Sequence, residues 1–174
     1  MPCPRFPARA APAPLSPCSV KMHSAPWSRS LQVVSALTTL ACLAGSAALW
    51  RSPLPVASGW LPLALLAGAA LFSVRGYAIT AEALLIQRLG WTTRIPLADL
   101  RSASISPHAM RGSLRLCGNG GLFAFSGLFR HKTLGCYRAW VTDPQRSVVL
   151  RFAGRTVVVS PADPAAFIQD LPRP

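Results

Sequence analysis

The chain predicts a two-helix transmembrane hairpin followed by a mainly-β domain. That domain has about seven antiparallel strands, in a curled sheet or partly open barrel, closed by a C-terminal helix. Three observations predict it. Two apolar stretches without a charged residue, 31–50 and 60–74, stand nine residues apart. From residue 76 onward apolar residues recur with a period of two, the spacing of a half-buried strand. At the end, Asp163 and Pro164 open a short amphipathic run that Pro172 stops.

Residues 1–30 are rich in Pro and Ala, carry Arg5, Arg9, Lys21 and Arg29, and contain no acid. They show no hydrophobic period and are expected to be disordered. The first apolar stretch, 31–50, reaches about 30 Å as a helix, the thickness of a bilayer core. Trp27 and Trp50 bracket it, where an aromatic belt would sit. The basic run and Ala-Gly-Ser-Ala-Ala resemble a secretory leader, but the stretch is long for one and a second follows at once, so uncleaved helices are expected. The second stretch, 60–74, reaches only about 22 Å. It must therefore borrow from 54–59 or thin the bilayer. Pro53, Pro55 and Gly59 make the link a tight turn. Ala41 with Gly45, Ala44 with Ala48 and Ala64 with Gly68 are small pairs four apart, suited to close helix packing in lipid. Basic residues precede the first helix and follow the second (Arg75, Arg88, Arg94, Arg101), with Arg51 alone in the turn. By the positive-inside rule, the N-terminus and the C-terminal domain are cytoplasmic and the protein is multi-pass in a bacterial inner membrane.

The domain, 76–171, is assembled from short runs. Tyr77 and Ile79 alternate; 84–89 follows; 91–95 ends at Pro96; and in 101–106 Ala103 and Ile105 share a face. Later runs are 137–142, 147–152 and 156–159, the last two joined by Ala153-Gly154 as a hairpin. Asp163 suits a helix cap, and Phe167, Ile168 and Leu171 form one stripe. An amphipathic helix can plug the open end of a curled sheet.

Several segments carry a family resemblance. Tyr77-Ala-Ile-Thr, Leu84-Leu-Ile-Gln-Arg88 and Arg94-Ile-Pro-Leu-Ala-Asp-Leu100 are similar to the opening of bacterial pleckstrin-homology (PH-like) domains. Gly118-Asn-Gly-Gly-Leu-Phe123, Leu134-Gly-Cys-Tyr-Arg-Ala-Trp140-Val-Thr-Asp143 and Val157-Val-Val-Ser-Pro161 resemble the later part of one such family. The resemblance covers about residues 76–171. It implies a binding domain set after a pair of membrane helices and carries little chemistry of its own, since the function of the family is largely uncharacterised.

Formal net charge is +13, and only Glu82, Asp99, Asp143, Asp163 and Asp170 are acidic. Such a balance favours anionic partners, although all but two of the basic residues are Arg and the excess equally fits GC-rich coding. Nucleic acid is not expected; membrane lipids, a protein partner or a homo-oligomer are. Gly118-Asn-Gly-Gly121 lacks the Lys-Ser/Thr of a nucleotide loop and reads as a structural turn. The segment 118–135 reads as a long apolar loop, and its Leu122, Phe123, Phe125, Leu128 and Phe129 either dip toward the bilayer or fold back into the core. Arg130, Lys132 and Arg138, joined by Arg111 and Arg115, form a basic set beside it, either a headgroup-facing surface or a solvated face.

Five cysteines at 3, 18, 42, 117 and 136 make no CxxC pair and are expected unpaired. With His108 and His131 they match no zinc template, so neither a metal site nor a cofactor is expected. No pair of acids has a spacing useful for acid–base work, and no catalytic residue is assigned. The leading reading is a membrane-tethered binding or scaffolding module. A self-associating structural protein is the alternative, and an enzyme using His108, His131, Cys117 or Cys136 is the remaining one.

Overall fold

The structure is a computed structural model that describes residues 20–172. Strand β1 (Lys21–Ser24) comes first, then helix α1 (Arg29–Arg51), a 3-10 turn (Val56–Gly59) and helix α2 (Trp60–Leu71). Nine strands follow: β2 (Val74–Ile79), β3 (Ala83–Arg88), β4 (Thr92–Pro96), β5 (Leu100–Ile105), β6 (Leu114–Gly120), β7 (Phe125–His131), β8 (Gly135–Val141), β9 (Val148–Phe152) and β10 (Thr156–Val159). Helix α3 (Pro164–Asp170) ends the domain. Among the described residues, nine strands, β2 to β10, thus stand in the domain where about seven were expected, and β1 adds a tenth from outside it.

The strands form two sheets, one ordered β1-β2-β3-β4 and the other β5-β9-β10-β8-β7-β6. All neighbours are antiparallel except β8 and β10, which run parallel. The main core lies between the sheets. Tyr77, Leu84 and Ile86 from the first meet Trp140, Val148, Leu150, Val157 and Val159 from the second, with Phe167 of α3 closing the end. A smaller core on the outer face of the six-stranded sheet holds Phe129, Tyr137, Val141 and Val158 under Ala109 and Met110. Asp163 caps α3 as expected, its Oδ1 accepting from the N–H groups of Ala165 (2.9 Å) and Ala166 (3.0 Å).

The expected disorder of 1–30 is corrected from Lys21 on; residues 1–19 lie outside the described set. Lys21, Met22, His23 and Ser24 pair with Ile79, Ala78, Tyr77 and Gly76. Asp170 of α3 holds this strand from the side, through an ion pair to Lys21 and a 3.2 Å contact to His23 Nε2. The chain therefore leaves the sheet at β1, runs out along α1, turns, and returns through α2 into the adjacent strand β2. The helices differ from expectation at their ends. α1 starts two residues early because Ser28 caps it, its Oγ accepting from Leu31 N–H at 3.3 Å. α2 stops at Leu71, and Val74 belongs to β2.

At the far end of the hairpin the Trp50 and Trp60 rings meet edge-on at 5.4 Å. Gly59 lies against the Trp50 indole, where a Cβ would overlap the ring. The expected small-residue contacts are corrected at two positions: a Cβ at Gly45 or Gly68 would meet nothing within 4 Å, so neither glycine sits at a close helix approach.

The segment 118–135 is not a projecting loop. It is most of the β6–β7 hairpin, with Asn119 bonded through its side chain to both backbone groups of Leu122. Gly118 faces Gly127 across the ladder with both at positive φ, and a Cβ on either would strike the opposite backbone. Cys42 and Cys117 are free thiols, whereas Cys136 is disulfide-bonded, against the expectation of unpaired cysteines.

Candidate functional site

The place where the hairpin meets the domain gathers the most unusual chemistry. One leg is held by backbone and ring contacts. Ala25 N–H donates to Arg75 O (3.3 Å) and Ser28 N–H to Thr142 O (3.2 Å). Trp27 lies 6.0 Å from the Phe123 ring, and Phe123 N–H donates to Ser35 Oγ at 3.1 Å. The tip of the β6–β7 hairpin is therefore fastened to the second turn of α1.

Aromatic rings surround the foot of the other leg. Phe72, one residue past α2, meets Trp91 edge-on at 5.0 Å. The Arg88 guanidinium lies 5.8 Å from the Phe72 ring, 5.4 Å from Trp91 and 5.9 Å from Trp140. Arg138 lies 5.0 Å from the same Trp140 ring. Each such contact contributes roughly 0.5–2 kcal/mol, more as the cation loses water.

The electrostatics at this foot are unbalanced. Burial first, and then the Arg138 guanidinium, push Arg88 down to about 10 from 12.5. Burial likewise lowers Arg138. A guanidinium remains charged at neutral pH all the same, and the lowering at Arg88 reflects lost hydration and the like charge beside it. Arg88 Nε is buried with no hydrogen-bond partner, and no carboxylate among the described residues pairs with Arg88. Four of the five acids act elsewhere: Glu82 on Arg94, Asp143 on Arg146, Asp170 on Lys21, and Asp163 as a cap.

The residues singled out from sequence do not form one surface patch. Arg130 and Arg115 are exposed on β7 and β6, and Lys132 and Arg111 are exposed in turns. Arg138 alone is half-buried beside Trp140. Among the apolar set, Phe129 is buried and stacks on Tyr137 at 5.9 Å. Phe125 packs against that same outer core, Phe123 rests on Trp27, and Leu122 and Leu128 are half-buried. These side chains fold back onto the protein. His131 is occupied structurally, with Nδ1 at 2.8 Å from Thr133 Oγ1 and Nε2 at 3.0 Å from Arg111 O. His108 adopts a positive φ of 69° in the 106–113 turn. No group of three or more His, Cys, Asp or Glu fit to hold a metal occurs among the described residues.

Arg88 was missed by sequence reasoning. A charged residue at a strand end reads as solvated, and its three rings come from residues 72, 91 and 140, which only the fold brings together.

Two sheets and a closing helix fit the PH-like architecture, and the family model of a bacterial PH domain matches residues 75–173. The chain belongs to the bacterial PH domain family. No curated protein and no solved structure matches it. PH domains are generally non-catalytic binding modules, and in this one Arg88 is half-buried with its Nε unpartnered.

Proposed function

We propose that the protein is a membrane-tethered binding and scaffolding module on the cytoplasmic face of a bacterial inner membrane, recognising a protein partner or anionic lipid headgroups. The observation that carries the reading is the pairing of β1 with β2 around the helices. Both legs root at one sheet edge, so α1 and α2 leave and return on the same side as an antiparallel pair. A leader cleaved after α1 would take β1 out of the sheet with it.

Length supports a span for α1 alone. α1, with 23 residues, is long and apolar enough to cross a membrane. α2 has 12 residues, about 18 Å, and needs the Val56–Gly59 turn and local bilayer thinning. Leu31 and Ser35 are buried, so the freely projecting part of α1 is shorter than the whole helix and closer in reach to α2. Arg51 alone marks the distal turn, while Arg29, Arg75 and Arg88 mark the near side, which favours a cytoplasmic domain.

Membrane fractionation tests the tether. The full chain is expected in the membrane pellet, resisting alkaline carbonate and released by detergent. Its domain should be digested by protease in inverted vesicles but not in spheroplasts. Full recovery in the supernatant without detergent refutes the reading. Cross-linking in intact membranes then separates the partners: a heteromeric product supports the module, and a purely homomeric ladder supports the self-associating alternative.

A further inference from the structure

The four-stranded sheet covers only part of the inner face of the six-stranded one. Trp140, Val148, Leu150, Val157 and Val159 of that face lie in the core between the sheets. By strand alternation Arg138, and its cross-strand partner Leu128, point to the same side. There the facing wall is not the first sheet but α2. A cavity of about 600 Å³ lies between them. Its α2 wall includes Leu65, Gly68 and Phe72; its floor includes the opposed Gly118 and Gly127; Arg88 and Arg138 also line it. The glycine pair adds no side chain at its point of the floor, and Gly68 leaves the wall open, since a Cβ there would meet nothing within 4 Å.

We propose that this cavity holds one anionic membrane lipid, its headgroup against Arg88 and Arg138 and the upper part of an acyl chain along α2. This rests on the reading that α2 lies in the bilayer. Three observations converge on that occupant. Arg88 Nε lacks a hydrogen-bond partner, and the described lining of the cavity holds two guanidinium groups and no carboxylate. The rest of the lining is mostly apolar, with Asn119 and Ser126 as its neutral polar side chains, which suits an amphiphile better than a free inorganic anion. The position is right, because the arginines sit beyond the C-terminal end of α2, where headgroups would lie, while Leu65 and Gly68 are one to two turns deeper. The volume falls within the range of small-molecule sites, roughly 300–1,000 Å³.

The test uses the full chain purified in mild non-ionic detergent, with retained lipid counted by native mass spectrometry. Phosphatidylglycerol and phosphatidylcholine of the same acyl chains are added in parallel, and inorganic phosphate serves as competitor. The protein should retain one phosphatidylglycerol in preference to phosphatidylcholine. Arg88→Gln should weaken retention by about tenfold or more, as expected for losing a charged hydrogen bond. Gly68→Phe, which fills the cavity while keeping both arginines and favouring the helix, should weaken it similarly. Equal retention of the two lipids overturns the proposal, as does full retention in Gly68→Phe. Displacement by millimolar phosphate would instead assign the site to a free anion, and a lipid-free dimer broken by Gly68→Phe would assign it to a second copy. Failure of the tether looks different: the protein would fractionate as soluble, whereas failure of this site leaves a membrane-bound protein without a preferred lipid.

Discussion

In α1 the buried side chains are Leu31, Ser35 and Ser46, while Leu37, Leu40 and Leu43 are 62%, 63% and 50% exposed. In the β domain the order is reversed: Leu84, Ile86 and Leu150 are fully buried, and Arg101, Arg115 and Arg130 are outside. One chain thus follows two rules for what faces out. Thr38 and Thr39 fit the first rule, since each hydroxyl donates back to its own helix, to Val34 O (2.8 Å) and Ser35 O (2.7 Å), which leaves no donor unmet on an apolar helix. The β domain follows the ordinary rule for a water-solvated core. The contrast teaches that the apolar content of a segment says less about its solvent than the direction in which its leucines point.

Substitutions can break or sharpen that contrast. The largest effect is expected at Leu84, which is fully buried between the sheets. Leu84→Ala should cost about 2–5 kcal/mol in denaturation of the detergent-solubilised protein, while Leu40→Ala should cost under about 0.5 kcal/mol. Equal losses would mean that α1 faces protein after all. Next, Leu40→Arg should disfavour insertion by about 2.5–3.5 kcal/mol and lower the membrane-bound fraction, with the domain's own stability unchanged. An unaltered membrane fraction would contradict a lipid-facing helix.

A smaller effect is expected where the two sheets are pinned. Tyr77 Oη donates to Trp140 O at 2.6 Å and accepts from Ser160 N–H at 3.1 Å. Tyr77→Phe should cost about 1–3 kcal/mol. Burial pushes the Tyr77 hydroxyl up to about 12 from 10.0. A raised folded-state pKa gives stability that is whole below pH 10 and falls as pH climbs toward 12, so the variant should lose part of its alkaline sensitivity. Burial raises Tyr137 as well, and its share should remain.

The smallest effect concerns β1. The hydrogen bond from Lys21, ahead of the charges of Lys21 and His23, holds the Asp170 carboxyl below its ordinary value. A lowered folded-state pKa gives a contribution present above the normal carboxylate range and lost as pH falls through the lowered one. Hydrogen exchange at the β1 amides should therefore rise in strong acid, and Lys21→Ala should move that rise to higher pH.

The parts legible in sequence were those with a strong local signal. The run 156–159 coincides with β10 because Val157 and Val159 serve one core and Val158 the other. The Asp163 cap was legible because capping is decided within three residues. β1 was not, because its stability is non-local: Lys21, Met22, His23 and Ser24 show no apolar alternation and are held by the β2 backbone and Asp170. β6 and β7 were hidden by glycines that read as loop, although Gly118 and Gly127 serve a ladder whose two backbones leave no room for a Cβ. Of the candidate site, Arg138 was legible as one of several cations near an aromatic stretch. Arg88 was not, because its surroundings exist only after folding.

The two-strand footing of the hairpin has a mechanical consequence. A domain hung from a single span by a slack linker samples a hemisphere, and its encounter rate depends on how far the linker lets it roam. Here β1 and β2 are bonded to each other where the legs depart, so there is no swivel. In the proposed tether the domain should therefore keep one bearing toward the bilayer, and a target would arrive by sliding in the plane of the membrane or by approaching from a single side.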